Sequence, residues 1–306
     1  MKTRSLRQSR ATVFGALAIL FWSSTAGLSR SLTETLGTLT ASSCVFLLGG
    51  TIASLHMILT ARRHRRPLSF PVRYLVGCGI LFVIYMVSLY LAIGFASNRQ
   101  QVLEVALINY LWPALTLVFA VPILKKKARG WLVLGIFAGF TGIFLSMFPE
   151  NFSWIVFADN VKANWLPYLL ASIAGVTWAL YSNLSRLWGG QAESGAVPFF
   201  LLLSGLMLMG LRVLFPENTQ WTLRAVLELI YLMIFPTGLG YLLWDEAMRK
   251  GRIILVASLS YFTPLLSAII GVAYLGVRAG WNLWAGAIFV VVGAAVCRLS
   301  VQDDSQ

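Results

Sequence analysis

Charged residues are scarce in this chain: 11% of its 306 residues are Asp, Glu, Lys or Arg, whereas 58% are hydrophobic. A soluble domain carries about 25% charged residues, because charge is needed to cover a surface that faces water. Apolar runs of about 20 residues, the length that crosses a bilayer, follow one another along most of the sequence. The composition therefore excludes an ordinary soluble protein and predicts a multi-pass membrane protein.

Other absences narrow the class of function. The chain has three cysteines, all within apolar runs, so neither a disulfide framework nor a cysteine-based metal site is predicted. It has no HExxH, GxSxG or P-loop motif, so metalloprotease, serine hydrolase and ATP-driven chemistry lack their usual residues. We therefore expect no catalytic residue, no metal and no cofactor, and a protein that is not an enzyme.

The apolar runs and the basic residues between them predict a topology. Ten runs are predicted to span the membrane, at 12–29, 38–60, 73–97, 102–124, 131–148, 166–185, 197–214, 223–243, 253–276 and 281–299. Eighteen Lys and Arg residues fall on one side of these spans and six on the other. Since Lys and Arg in short loops stay on the cytoplasmic side, both termini are predicted to be cytoplasmic. The net charge of +13 then reports topology and contact with lipid head groups, and no nucleic-acid partner is expected.

The two halves of the chain resemble each other. Ala106–Pro113 (ALINYLWP) aligns with Ala257–Pro264 (ASLSYFTP), and FWSSTAGLSR, which starts at Phe21, aligns with TWALYSNLSR, which starts at Thr177. With five spans in each half, 1–150 and 151–306, the second half must enter the membrane in the opposite orientation. Inverted repeats are typical of secondary transporters, which bind substrate between the halves near the midplane. A duplicated bundle that transports nothing is the alternative.

Six aromatic residues fall near the middle of predicted spans: Trp22, Tyr85, Tyr110, Trp112, Trp178 and Tyr261. Tyr and Trp usually lie at membrane interfaces, where their polar atoms meet water, so a central set requires hydrogen-bond partners or a wet cavity. We therefore predict an aromatic-lined substrate cavity, although core packing would also explain any one ring. No Lys or Arg is predicted at mid-depth to meet an anion, so a small neutral or zwitterionic molecule such as an amino acid suits the site.

Prolines interrupt three of the predicted spans. Pro113 and Pro264 occupy matching positions in the two halves, and neither can donate a hydrogen bond to the carbonyls of Asn109 and Ser260. Discontinuous helices at matching places in a repeat indicate a transporter binding site. Asn109 and Ser260 are therefore predicted to bind substrate through freed carbonyls, and Pro113, Pro264 and Pro236 to act as hinges. Kinks that serve packing alone are the alternative.

Glu104 is the one carboxylate clearly inside a predicted span. An ionisable residue in the membrane is costly, so Glu104 indicates proton coupling or a partner for a substrate cation. An ion pair with Arg99 at the outer edge is the structural alternative. Asp245 and Glu246, at the inner end of the span at 223–243, are expected to be solvated.

Three segments carry a family resemblance: FWSS from Phe21, EVALINYLWPALT (Glu104–Thr116) and SYFTPLLSA (Ser260–Ala268). They resemble the EamA-type members of the drug/metabolite transporter superfamily and, among them, the bacterial aromatic amino acid exporters. The resemblance covers essentially the whole chain. It implies ten helices around a central cavity, and export of aromatic and related amino acids across the bacterial inner membrane. On matching motif positions it implies a cavity lined by Trp22, Tyr85, Tyr110, Trp112, Trp178 and Tyr261.

These features together predict an all-α polytopic membrane protein of ten transmembrane helices, built as a 5+5 inverted-topology repeat around a central cavity. The predicted function is export of amino acids, aromatic and other small neutral ones, by alternating access. The expected partners are the amino-acid substrate and the lipid bilayer, and the expected unit is a monomer. Export of aromatic cations or drugs, and a membrane sensor that binds ligand without moving it, are the alternatives.

Overall fold

The structure, a computed structural model, describes residues 2–65, 68–147, 152–190, 192, 195–275 and 280–301. Two π-helical segments, Arg73–Cys78 and Met233–Gly240, lead into α4 and α12. The α-helices of the described ranges, numbered in chain order, are α1 (Lys2–Ser23), α2 (Thr25–Leu36), α3 (Thr38–Arg63), α4 (Gly79–Gly94), α5 (Arg99–Asn109), α6 (Trp112–Ile123), α7 (Trp131–Met147), α8 (Trp154–Ala163), α9 (Leu166–Gly189), α10 (Val197–Leu214), α11 (Leu223–Leu232), α12 (Tyr241–Lys250), α13 (Ile253–Leu259), α14 (Phe262–Leu275) and α15 (Trp281–Ser300).

Several of these helices are long and apolar enough to cross a bilayer. Two shorter apolar stretches, Trp131–Met147 and Ile253–Ser267, fall on the predicted spans at 131–148 and 253–276. Spans 1 and 6 are helical but less apolar, because α1 begins with basic residues and α9 carries many hydroxyl and amide side chains. The chain is therefore an all-helical, multi-pass membrane protein. Within the described ranges, six stretches meet the length and hydropathy of a span: Thr38–Arg63, Arg73–Gly94, Gln100–Ile123, Val197–Leu214, Leu223–Lys250 and Trp281–Ser300.

The exposed surface of the helices is that of a protein in lipid. Large apolar side chains such as Leu206 of α10 and Ile288 of α15 are more than half exposed. A soluble monomer rarely exposes so much contiguous apolar surface. Six tryptophans are also exposed, all at or beside the first turns of helices, where a membrane interface favours them: Trp131, Trp154, Trp165, Trp221, Trp281 and Trp284.

Glycines bring helices from the two halves of the chain into backbone contact. A Cβ at Gly142 of α7 would lie 2.6 Å from the Val290 nitrogen of α15, and one at Gly293 would lie 2.8 Å from the Gly135 carbonyl oxygen. Gly50 of α3 meets the backbone of α10 in the same way. Small residues that allow such approach are a common basis of helix association in membranes. Gly135 and Gly142 of α7 therefore serve packing against α15.

The predicted span at 12–29 is not one continuous helix, because α1 ends at Ser23 and α2 begins at Thr25. The Ser24 hydroxyl donates to the Phe21 carbonyl at 2.8 Å, and the Thr25 hydroxyl donates to the Trp22 carbonyl at 2.6 Å. Hydroxyls that bond to the backbone in this way compete with the helical hydrogen bonds and bend helices. The break follows directly after Trp22 and so turns α2 away from it.

Candidate functional site

Two helix breaks lie at the positions of the repeated prolines. α5 ends at Asn109 and α6 begins at Trp112, with Pro113 as its second residue. α13 ends at Leu259, and Pro264 is the third residue of α14. Proline is well placed in the first turn of a helix, because the N–H that it lacks has no helical acceptor there. Each proline therefore starts a new helix beside the break.

The carbonyls at the two breaks are not equivalent. The Asn109 carbonyl lies against α9, where a Cβ at Gly175 would come within 3.2 Å of its oxygen. The Ser260 carbonyl accepts a hydrogen bond from the Thr263 backbone N–H at 3.1 Å. The prediction that Pro264 leaves the Ser260 carbonyl free is therefore wrong, because the tight turn supplies a donor in place of the one that proline withholds.

A third irregular segment contains Pro236. The backbone at Met233–Gly240 widens into π-helix, which is frequent at functional sites. The Trp22 indole N–H donates to the Pro236 carbonyl at 3.1 Å. A Cβ at Gly240 would lie 2.8 Å from the same indole nitrogen, so this glycine makes room for the Trp22 ring. The π-helical segment thus fixes the position of a predicted cavity residue.

A cavity of about 190 Å³ opens between the helix breaks. It is smaller than the roughly 300–1,000 Å³ pockets that hold drug-sized ligands, so its size suits a small metabolite. Both halves of the chain contribute to its walls. The lining residues are Trp22, Thr25, Ser29, Leu32, Thr33, Ala41, Ser42, Val45, Tyr85, Leu89, Tyr90, Asn109, Tyr110, Trp112, Trp178, Leu232, Pro236, Thr237, Tyr241 and Thr263.

Three tryptophans of the cavity lining contact one another and the buried Trp244. The four residues are here named the tryptophan cluster: Trp22, Trp112, Trp178 and Trp244. The ring centroids of Trp22 and Trp178 are 5.8 Å apart, and those of Trp112 and Trp244 are 5.2 Å apart at 90°. Tyr85 lies 4.5 Å from Trp178 by the same measure. Edge-to-face and tilted contacts of this kind hold aromatic rings in place. The cavity therefore has rigid aromatic walls whose faces can stack on a ring or hold an ammonium group.

Two buried polar atoms in the cavity wall have no hydrogen-bond partner: Asn109 Oδ1 and Thr263 Oγ1. Their residues are 8% and 3% exposed. An unsatisfied buried polar atom costs about 1–3 kcal/mol, so such atoms are rare unless a ligand or water completes them. Since an amide oxygen only accepts hydrogen bonds, Asn109 Oδ1 calls for a donor on the ligand. The described lining residues include no Asp, Glu, Lys, Arg or His.

The structure brings six of the eight predicted substrate-binding residues to this cavity: Trp22, Tyr85, Asn109, Tyr110, Trp112 and Trp178. Ser260 and Tyr261 are fully buried and do not line it. The Ser260 hydroxyl donates to the Ala257 carbonyl at 2.6 Å. The Tyr261 ring packs on α7, where a Cβ at Gly139 would come within 2.8 Å of it. Tyr110 and Tyr261 therefore differ in environment although they match in the repeat.

Thr263 and Tyr241 also line the cavity, although they are not among the residues predicted from the sequence. A signal for Thr263 was present, because the alignment of the two proline segments places it opposite Trp112, directly before the proline. In both halves the residue before the proline faces the cavity. Tyr241 directly follows Gly240, the last residue of the π-helical segment.

Asp245 is buried, and the expectation that it is solvated is wrong. It is 1% exposed and pairs with Arg249, whose Nε lies 2.7 Å from Asp245 Oδ2. The hydroxyls of Tyr74 and Tyr181 both donate to Asp245 Oδ1 at 2.9 Å. Asp245 tolerates burial because these neutral and charged donors replace the water that it loses. Its neighbour Glu246 is partly exposed.

Comparison with known proteins identifies the family. The sequence profile of the EamA-like transporter family matches residues 9–148 and 165–299, which is most of the chain. The chain belongs to the EamA-like transporter family. The two matched ranges fall one in each half of this transporter.

Curated relatives of this EamA-like transporter match over nearly its whole length. The aromatic amino acid exporter YddG of Salmonella typhimurium is 30% identical over 298 residues, which cover 97% of this chain and 99% of the relative. The protein of the same name from Escherichia coli is 28% identical, with the same coverage. That from Ancylobacter novellus is 28% identical over 307 residues. A solved crystal structure that is 26% identical superimposes with a TM-score of 0.78, over 96% of this chain and 98% of that one.

Glu104 of this EamA-like transporter lies outside the cavity lining and is fully buried. Its carboxylate accepts hydrogen bonds from the Tyr168 hydroxyl, from Gln100 Nε2 at 3.1 Å and from Asn160 Nδ2 at 3.2 Å. The side chain of Arg99, the partner considered from the sequence, lies outside the described residues. Neutral donors from α5, α8 and α9 thus surround a carboxylate inside the membrane.

Proposed function

We propose that this protein exports aromatic and other small neutral amino acids across the bacterial inner membrane by alternating access, as a monomer. The observation that carries the proposal is the small aromatic cavity, whose wall holds unpaired acceptors and, among the described residues, no charged group. Ring faces suit an aromatic side chain, and Asn109 Oδ1 suits an amino group. The YddG relatives, which are aromatic amino acid exporters, support the same substrate class.

Contacts between the halves support the inverted repeat of ten spans, 1–150 with 151–306. α7 packs against α15 and α3 against α10, which pairs predicted spans 5 with 10 and 2 with 7. α1 packs against α12 as α9 packs against α4, which pairs span 1 with 8 and span 6 with 3. This is the contact pattern of a two-fold axis, and an odd number of spans per half makes the repeat inverted.

With both termini in the cytoplasm, the cavity opens to the outside. Its lining residues on α2 and on the first turns of α3 then lie in the outer half of the membrane, and the tryptophan cluster closes the inner end. Loading from the cytoplasm requires the opposite state. We expect the halves to exchange conformations about Pro113, Pro264 and Pro236, which would bring Ser260 and Tyr261 to an inward cavity.

Glu104 is the residue that we propose for proton coupling, because it is a buried carboxylate within a membrane span and its partners among the described side chains are neutral donors. Flux driven by a pH gradient should then disappear in Glu104→Gln, while exchange of substrate for substrate persists. A wild-type flux that ignores the pH gradient would remove this role.

Export of aromatic cations is the second candidate. It is favoured by the same cavity, which offers ring faces and acceptors to a cation but no Lys or Arg to a carboxylate among the described lining residues. Competition between phenylalanine and a quaternary aromatic ammonium for flux distinguishes the two. A cation that is transported while phenylalanine is not would replace the first proposal with the second.

The test of the proposed function is counterflow of radiolabelled amino acids into liposomes that contain the purified protein. Trp112, which is 3% exposed and contacts the three other tryptophans of the tryptophan cluster, is the residue to change. Aromatic contacts are worth about 0.5–1.5 kcal/mol each beyond buried area, so Trp112→Ala should lower flux about tenfold or more. Trp112→Phe, which keeps a ring, should retain part of it.

Trp131→Ala is the matched control, because Trp131 is 64% exposed at the start of α7 and is not a lining residue. It should leave flux unchanged. Full flux in a monodisperse Trp112→Ala protein would show that substrate does not pass through this cavity. Binding of amino acids without any counterflow in the wild type would identify the protein as a sensor.

A further inference from the structure

The buried Asp245–Arg249 pair has no role in the substrate cavity, whose lining includes neither residue. The two residues are 1% and 4% exposed. Burying an ion pair costs several kcal/mol per ion, and an apolar pair of similar volume is often as stable. Ionisable residues at membrane depth are for that reason functional candidates by default. The place of the pair in the fold indicates what it does.

Asp245 and its partner Tyr181 each lie one helical turn beyond a residue of the aromatic wall. On α12, Asp245 follows the lining residue Tyr241 by one turn, and on α9, Tyr181 follows the lining residue Trp178. The rings of Trp178 and Tyr181 are stacked, with centroids 5.1 Å apart at 27°. The Tyr181 ring thus contacts the cavity wall, and the Tyr181 hydroxyl donates to Asp245.

Tyr74 brings the first half of the chain into the same cluster. It belongs to the π-helical segment before α4, whereas Asp245 and Tyr181 belong to the second half. The Tyr74 hydroxyl donates to Asp245 Oδ1 at 2.9 Å and accepts a hydrogen bond from the Ala196 backbone N–H at 3.0 Å. A rocking motion of one half against the other must therefore break both of these bonds.

Arg249 also contacts described residues at the connection between α9 and α10. Its Nη1 donates to the carbonyls of Gly189 at 3.3 Å and Ala192 at 2.9 Å. A Cβ at Gly195 would lie 3.1 Å from Arg249 Nη2, so the backbone at Gly195 lies directly against the pair. Under the proposed topology this connection is cytoplasmic. The Asp245–Arg249 pair and its two tyrosine partners lie between it and the tryptophan cluster.

We propose that Asp245, Arg249, Tyr74 and Tyr181 form the inner gate of the transporter, which must open for substrate to enter from the cytoplasm. The inference rests on the proposed function for the direction of transport. In the state described here the gate is closed and the cavity is open on the other side. The contact of Tyr181 with Trp178 connects the gate to the substrate site.

Cys78 provides a native reporter of this gate. It lies four residues after Tyr74, is fully buried and lies near Asp245. In a protein with Cys44→Ser and Cys297→Ser, a membrane-impermeant maleimide added to inside-out vesicles should label Cys78 only when the gate opens. The readout needs no substrate, so it is independent of what the protein transports.

Asp245→Asn, Tyr74→Phe and Tyr181→Phe each remove part of the gate and should raise the labelling rate of Cys78. Loss of one hydrogen bond to a charged group shifts a two-state equilibrium about tenfold or more, and each Tyr→Phe variant should show a change of that size. The Tyr→Phe variants keep the ring and preserve the test if Asp245→Asn does not fold. Glu246→Gln, which removes the adjacent and partly exposed carboxylate, is the matched control and should label like the parent.

Parent-like labelling in folded Asp245→Asn and Tyr74→Phe proteins would overturn the gate, as would an equal rise in Glu246→Gln. The gate and the proposed function fail separately. Raised labelling without amino-acid counterflow in the parent keeps the gate and rejects the substrate class. Normal amino-acid counterflow in the parent, with unchanged Cys78 labelling in the variants, rejects the gate and keeps the substrate class.

Discussion

Thr263→Val tests which part of the substrate the cavity recognises. The change keeps the shape of the side chain and removes a hydroxyl that is buried and has no partner. If this hydroxyl accepts from a substrate ammonium group, its loss removes a hydrogen bond to a charged group, worth about 1.5–3 kcal/mol. We therefore expect affinity for an amino acid to fall by about 10- to 150-fold.

The stability of the empty protein should move in the opposite direction. In the absence of ligand the Thr263 hydroxyl is desolvated without compensation, which costs about 1–3 kcal/mol. Thr263→Val should then leave the apparent thermal midpoint in detergent unchanged or raise it. A residue that served structure alone would lower stability and binding together, so the opposite signs separate the two roles.

Calorimetric titration with three ligands provides the assay: phenylalanine, 2-phenylethylamine, which lacks the carboxylate, and 3-phenylpropionate, which lacks the amino group. Affinity for the first two should fall in Thr263→Val, and affinity for the third should not change. Ser54→Ala is the control, since Ser54 Oγ is also buried and unpartnered but lies outside the cavity lining. A loss confined to 3-phenylpropionate would refute the reasoning, because the hydroxyl would then donate to the carboxylate.

Two further changes test the packing and the buried carboxylate. Gly293→Val places a side chain against the α7 backbone and should lower the stability by about 1–3 kcal/mol, seen as a lower thermal midpoint. Gly210→Ala is the control, since nothing lies within 4 Å of the added Cβ, and it should cost no more than about 0.5 kcal/mol. Equal midpoints for the two variants would contradict the close contact. Tyr168→Phe removes the hydroxyl that donates to Glu104 and should cost about 1.5–3 kcal/mol by the same measurement. An unchanged midpoint in Tyr168→Phe would show that the hydroxyl does not stabilise an ionised carboxylate.

The features that could be predicted from the sequence depend on local properties of the chain. The length of an apolar run predicts a span, and a proline in the run predicts a break, because both act within a few residues. The breaks beside Pro113 and Pro264 lie where the sequence predicts them. The break at Ser24 is not marked by a proline. It depends on the hydroxyls of Ser24 and Thr25, which donate hydrogen bonds to backbone carbonyls.

The burial of Asp245 could not be predicted in this way. Its hydroxyl donors Tyr74 and Tyr181 are 171 and 64 residues away in the sequence, so no local pattern brings them together. A carboxylate four residues before an arginine at the end of a span is equally typical of a solvated helix end. Only the packing of α4, α9 and α12 distinguishes the two cases.

The difference between Tyr110 and Tyr261 connects the sequence of the two halves to the mechanism. Their segments align, so sequence similarity alone predicts the same environment for both, yet Tyr110 lines the cavity and Tyr261 packs on α7. In the alternating access that we propose, each half can adopt the conformation that the other half has in this structure. An exchange of the two conformations would then open the cavity on the other side, break the hydrogen bonds between Tyr74 and Asp245, and make Tyr261 the counterpart of Tyr110. In this interpretation the different environments of Tyr110 and Tyr261 and the burial of the Asp245–Arg249 pair have one cause, which is that the transporter is closed on its inner side.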